Sequence, residues 1–173
     1  LARSTGEGTA AWADAIAYGS RAADTATPIL LTPTNTLHPA VSDWLDTHPT
    51  IDPIGLGGTD ALTDTVLDAA GATRIDGANR YATAVSIAAL SNPNAGFTIA
   101  NGTATDAWAW TLAAAGLAAD GDQPILLVDT DRLPQETDQA TCATGIRADT
   151  TVIGPTRLID AGVRDTLTRP CPS

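Results

Sequence analysis

The sequence predicts an α/β fold: parallel sheets with helices on both faces, in two tandem related βα units of which the first is incomplete. Three observations lead there. Short apolar runs bounded by Gly, Pro and Asp alternate with Ala-rich segments of helical period. The chain repeats itself once at about 95 residues, too long for a solenoid and right for a duplicated α/β unit. Aromatic residues are only 4% of the 173, so Ala, Leu, Ile and Val must build the interior.

The elements follow in order. Residues 12–23 read as an Ala-rich helix. Residues 29–32 read as a buried strand behind Pro28, since proline can start a strand but not sit within one. A helix over 39–47 and a strand over Ile54–Leu56 come next. Gly55, Gly57 and Gly58 permit a tight turn into a helix over 60–70, with Asp60 favourable near its N-terminus. The first unit is expected to span residues 1–72 and the second 73–173, joined near Gly71. The second opens with a short strand ending in Gly77. A helix over 80–90 follows, with Asn79 as its cap and Tyr81, Ala84, Val85 and Ala88 at helical spacing. Then come a strand at 97–100, a helix at 106–119, a strand at Ile125–Val128, a helix at 135–144, a strand at 151–153 and a helix at 158–167. Trp108 and Trp110 lie two apart on one helix, so at least one is expected to be exposed or at an interface.

The repeat is legible residue by residue. Asp14-Ala15-Ile16-Ala17 and Pro28-Ile29-Leu30-Leu31 recur as Asp106-Ala107-Trp108-Ala109 and Pro124-Ile125-Leu126-Leu127. Asp and Pro are 14 positions apart in the first copy and 18 in the second, a difference of about one helical turn. Further on, Ile54-Gly55-Leu56-Gly57-Gly58-Thr59 answers Thr151-Val152-Ile153-Gly154-Pro155-Thr156.

The stretch from Thr73 to Ala84 carries the pattern R-I-x-G-x-N-R-Y-x-T-A. It resembles the opening of the cell-wall-binding repeat type 2 (CWB2), a module of Gram-positive surface proteins. Residues 73 to about 168 match such a unit in order, with Pro155 in place of the second Gly of its turn. Residues 1–72 match from the middle of a unit, without the opening. The resemblance implies a non-catalytic module that holds a protein on the wall by recognising a secondary cell-wall polymer or glycan. It also implies an extracytoplasmic location, at the wall or surface of a Gram-positive bacterium. In the family, P-I-L-L is associated with polymer binding, which makes Pro28, Leu30, Leu31, Pro124, Leu126 and Leu127 candidates. The same residues also read simply as central strands.

Other candidates come from their chemistry. Arg74, Asn79 and Arg80 with Tyr81 gather two guanidiniums and an amide near a helix start, which suits phosphate or carboxylate. A structural role is the alternative, with Tyr81 in the core and Arg80 paired to an Asp of a neighbouring unit. Thr32 and Asp129 follow their strands, and ligands of parallel sheets sit beyond the carboxyl ends. Tryptophans could stack on sugars or fill the core. Asp14 and Asp106 recur at equivalent places, where they read as helix caps.

Composition excludes some functions. The net charge is −11 and all nine basic residues are Arg, which argues against nucleic acid and anionic membrane surfaces. No apolar run is long enough to span a membrane, so no membrane insertion is expected. The opening residues read as folded sequence, so the chain is expected to be a mature form or an excised domain. Cys142 and Cys171 suit a disulfide pinning the C-terminal tail, which implies an oxidising compartment. His38 and His48 are far from both, so no metal is expected, and no cofactor motif is present. There is no nucleophile elbow, metalloprotease motif or P-loop. A wall hydrolase using Asp14 and Asp106 is the least supported reading. A second reading is an accessory or assembly subunit of an envelope complex, because an incomplete first unit leaves apolar edges for another copy or an envelope protein.

Overall fold

The computed structural model describes residues 1–92, 95–143 and 147–171. Among them, strands β1 (Ala2–Arg3), β2 (Leu31–Thr32), β3 (Ile54–Leu56), β4 (Thr73–Ile75), β5 (Phe97–Asn101), β6 (Ile125–Val128) and β7 (Thr150–Val152) alternate with helices. The helices are α1 (Ala13–Ala17), α2 (Gly19–Asp24), α3 (Pro39–Asp46), α4 (Asp64–Ala70), α5 (Arg80–Ala88), α6 (Ala107–Asp120), α7 (Gln135–Thr141) and α8 (Ala161–Thr168). The fold is α/β, and every strand pairing is parallel.

The second sheet has the order β6-β5-β7. The first is built from the pairs β1–β2 and β3–β4. Leu1 N donates to Ile54 O, and Leu56 N donates to Leu1 O at 2.9 Å, which joins the pairs in the order β2-β1-β3-β4. The same bond recurs in the second sheet from Ile153 N to Ile99 O at 2.9 Å. Register aligns the copies: Ala2 faces Leu31 as Ala100 faces Leu127.

The R-I-x-G-x-N-R-Y stretch ties the sheets together. Its strand β4 extends the first sheet, while α5 packs on β6 and α7 of the second and on α1. Asn79 Oδ1 caps α5, accepting from Tyr81 N and Ala82 N at 3.0 Å each. Gly77 is needed in the link, because an added Cβ would lie 2.5 Å from the backbone of Ala82. The core is aliphatic, as the composition requires. Ile87, Ile99 and all of Ile125–Val128 are fully buried, each contributing roughly 1.5–3 kcal/mol of transfer free energy.

The expected boundaries shift in places. The helix over 12–23 breaks at Tyr18 into α1 and α2, and α2 packs on α6 with Gly19 close to Ala115. The strand over 29–32 shortens to two residues, and β1 carries too little sequence to be anticipated. The helix over 60–70 starts only at Asp64: Gly58 O takes Ala61 N and Leu62 N in a separate turn, so Asp60 precedes the helix. The helix over 158–167 likewise starts at Ala161, where Asp160 Oδ1 accepts from Val163 N at 2.9 Å. The end of the 135–144 helix at Thr144 lies outside the described residues. Cys142 and Cys171 are bonded, with Cα atoms 5.7 Å apart. Arg147 Nε donates to Arg169 O at 2.8 Å in the same tail.

Candidate ligand-binding site

The chemistry gathers at the carboxyl ends of the strands. Arg74 reaches from β4 to the turn after β3, donating to Gly57 O at 2.6 Å, Leu62 O at 2.8 Å and the Asp64 carboxylate at 2.7 Å. Arg164 does the equivalent work in the second unit from α8, donating to Gly154 O at 2.6 Å and Ile159 O at 2.8 Å. Gly57 and Gly154 hold matching left-handed conformations, φ 90° and 98°. Arg74 thus spends three hydrogen bonds on its own fold.

Arg80 links the two repeats. It donates to Thr9 Oγ1 of the first and Gly102 O of the second. Among the described residues no ion pair to an aspartate holds it, but Asp14 lies near enough that Arg3 and Arg80 both favour its ionised form. Burial outweighs them and raises the Asp14 carboxyl above its usual range. Arg3 donates to Asp60 O at 3.3 Å, while its Nε is buried without a partner among the described residues.

Alongside lies a second group. The Tyr81 hydroxyl donates to Asp129 Oδ1, and Arg132 pairs with Asp129 Oδ2 while standing 5.7 Å over the Tyr81 ring. Burial, then the Asp129 carboxylate, pushes the Tyr81 hydroxyl well above its usual range, so it stays protonated as a donor. The Asn79 amide donates to Glu136 at 2.7 Å and holds that carboxyl below its usual range. Tyr81 is buried in the core, as the structural reading of this motif expects, and its hydroxyl meets Asp129 at the strand ends.

Sequence reasoning gave Asn101 no role. Its amide donates to Leu158 O at 2.6 Å and Thr130 Oγ1 at 3.0 Å. Its carbonyl accepts from Thr103 N at 2.7 Å and Ala104 N at 2.6 Å. One buried side chain thus ties the turns after β5, β6 and β7. Its place at the end of a strand was the available signal.

The P-I-L-L segments divide. Pro124, Leu126 and Leu127 are buried in the second sheet. Thr32 is buried too, its hydroxyl donating to Thr36 O and accepting from His38 N. Pro28 and Leu30 line an apolar cleft of about 340 Å³ with Tyr18, Trp44 and Leu45, at the amino ends of the strands. Leu31 is exposed on another face. Trp44 stacks on His48 with ring centroids 4.0 Å apart, and Trp108 and Trp110 are both exposed.

The capping role expected of Asp14 and Asp106 is corrected. Asp14 lies inside the first turn of α1, and Asp106 makes no side-chain cap. The Asp106 carboxylate instead pairs with Arg157 at 2.6 Å, which lowers its pKa. Among the described residues no group of His, Cys, Asp and Glu could hold a metal ion, and no helix is long and apolar enough to cross a membrane.

The chain is similar in fold to two proteins of Clostridium difficile. Cwp8 aligns at a TM-score of 0.72 with 17% identity over 92% of this chain, and Cwp6 at 0.75 with 24% identity over 90%. The chain spans 28% and 25% of their lengths, about a quarter of each. Among curated proteins there is no match. A family model, Cell wall binding domain 2 (CWB2), matches residues 2–67 and 74–164. The repeated parallel units, the R-I-x-G-x-N-R-Y stitch between them and this match over most of the sequence agree, and the chain belongs to the CWB2 family of cell wall binding domains.

Proposed function

We propose that the chain is a non-catalytic wall-binding module that holds a secondary cell-wall polymer or glycan at the carboxyl ends of its strands, where its two repeats meet. The observation that supports this most is Arg80, which spans both units at the carboxyl ends of β1 and β5 beside Arg3, Asp14 and the Tyr81–Asp129–Arg132 group. Parallel sheets take ligands at that edge.

Three guanidiniums of this edge are paired with carboxylates, Arg132 with Asp129, Arg157 with Asp106 and Arg74 with Asp64, and Arg80 and Arg3 stand near the Asp14 carboxyl. Such a surface offers many hydrogen bonds with little net positive field. It favours a neutral or weakly charged glycan over a polyanion, which a chain of net charge −11 would repel.

Binding to isolated walls tests this. Arg132 is exposed, so Arg132→Ala should leave the fold intact and weaken binding about tenfold. Binding by the parent chain should change less than about threefold between roughly 0.05 and 0.5 M salt. A steep loss with salt would indicate a polyanionic ligand, and unaltered binding by Arg132→Ala would remove this site. The second reading, an assembly role, is favoured by the apolar outer face of α6.

A further inference from the structure

The two units differ in what they do with one repeated aspartate. In the second, the Asp106 carboxylate pairs with Arg157 at 2.6 Å. In the first, Asp60 stands at the place that answers Arg157, so the turn after β3 supplies no cation there. Asp14 instead lies half-buried against that turn. A Cβ on Gly57 would lie 2.4 Å from its Oδ2, so glycine leaves the carboxylate its room. Gly154, the equivalent glycine, has Leu158 as its nearest neighbour.

Among the described residues neither Asp14 oxygen accepts a hydrogen bond, and neither is sealed from solvent. Arg3 and Arg80 stand near enough to favour its charge, but their hydrogen bonds go to Asp60 O, Thr9 Oγ1 and Gly102 O. Burial outweighs them and raises the carboxyl above its usual range. At neutral pH the group is ionised in the folded and the unfolded chain alike, so its charge makes the fold less stable than a neutral side chain would. The fold makes no use of this carboxylate, and it is open to a ligand.

The chemistry of that ligand follows. A carboxylate with two free oxygens needs protons donated to it. An ionised phosphate or carboxylate has none to give, and the guanidiniums of Arg3 and Arg80 repel an ammonium. A hydroxyl donates without charge. We propose that Asp14 is a ligand-contacting residue of the site where the repeats meet, its two oxygens accepting from neighbouring hydroxyls of a neutral sugar. This rests on the wall-binding reading and narrows its ligand to a glycan with vicinal diols.

Co-sedimentation with purified walls at neutral pH tests it, on the parent, Asp14→Ala, Asp14→Asn and Arg132→Ala. Asp14→Ala should weaken binding at least about tenfold, because hydrogen bonds to a charged group are lost. Asp14→Asn keeps the size of the side chain but accepts through one oxygen, and should weaken binding by a similar factor while melting no lower than the parent. Walls oxidised with periodate, which cleaves vicinal diols to aldehydes, should bind the parent at least about tenfold more weakly. Asp14→Ala binding within about threefold of the parent, with Arg132→Ala weakened, would overturn the role of Asp14 and leave wall binding standing. So would an Asp14→Asn variant whose binding falls only together with its melting temperature. Undiminished binding to oxidised walls would overturn the sugar diol as ligand. A parent that stays in solution with intact walls would overturn both readings.

Discussion

Asn101→Ala is expected to lower the melting temperature by about 10 °C, corresponding to roughly 3–4 kcal/mol for a chain of this size. Asn101 is 1% exposed, and its side chain makes hydrogen bonds to Leu158 O, Thr130 Oγ1, Thr103 N and Ala104 N. Alanine removes all of them at once. The buried Leu158 carbonyl and the Ala104 amide are then left without these partners, and each orphaned group costs about 1–3 kcal/mol. A cavity adds to the loss. The affected turns after β5, β6 and β7 are those that carry Asp106, Asp129 and Arg157, so ligand binding should weaken along with stability. Differential scanning calorimetry reads the effect directly. A shift below about 3 °C would mean that solvent replaces Asn101 without cost and that it is not the tie among these turns.

Removing the disulfide is expected to have an effect of similar size. Cys142 and Cys171 close a loop with a sequence separation of 29. In the chain-entropy model such a crosslink stabilises by roughly 3–4 kcal/mol, by restricting the unfolded chain. The double substitution Cys142→Ser with Cys171→Ser should therefore melt about 10 °C lower than the oxidised parent. Fully reduced parent should match the double variant. The Arg147 contacts to Arg169 O and Asp138 tie the same region without the bond, so the fold should persist at room temperature. Equal melting of oxidised and reduced protein would show that these contacts alone hold the tail.

Much of this was legible in the sequence because the responsible forces are local. Apolar runs such as Ile125–Val128 declare a buried strand, and Asn79 ahead of Tyr81 and Ala84 declares a capped helix. The repeat made the α/β class readable, and the cysteine pair was placed by elimination. What stayed hidden was set by tertiary contact. Nothing local separates Arg74, bound to the turn after β3, from Arg80, which bridges Thr9 and Gly102. No propensity marks the break at Tyr18, where α2 departs from α1 to lie on α6. Ala2 and Arg3 form a strand because β2 and β3 flank them. Asp14 and Asp106 read alike in sequence, yet one is half-buried beside Gly57 and the other pairs with Arg157 at the surface. The P-I-L-L copies are nearly identical, yet one is enclosed and the other opens onto two different faces, because α5 covers only the second.

Co-sedimentation with purified Gram-positive cell walls, before and after mild acid removal of secondary polymers, tests the central claim most directly. A wall-binding module that recognises such a polymer should pellet with intact walls and stay in solution with stripped ones. Recovery in the supernatant with both preparations would contradict wall binding by this chain, and equal pelleting with both would contradict recognition of a secondary polymer.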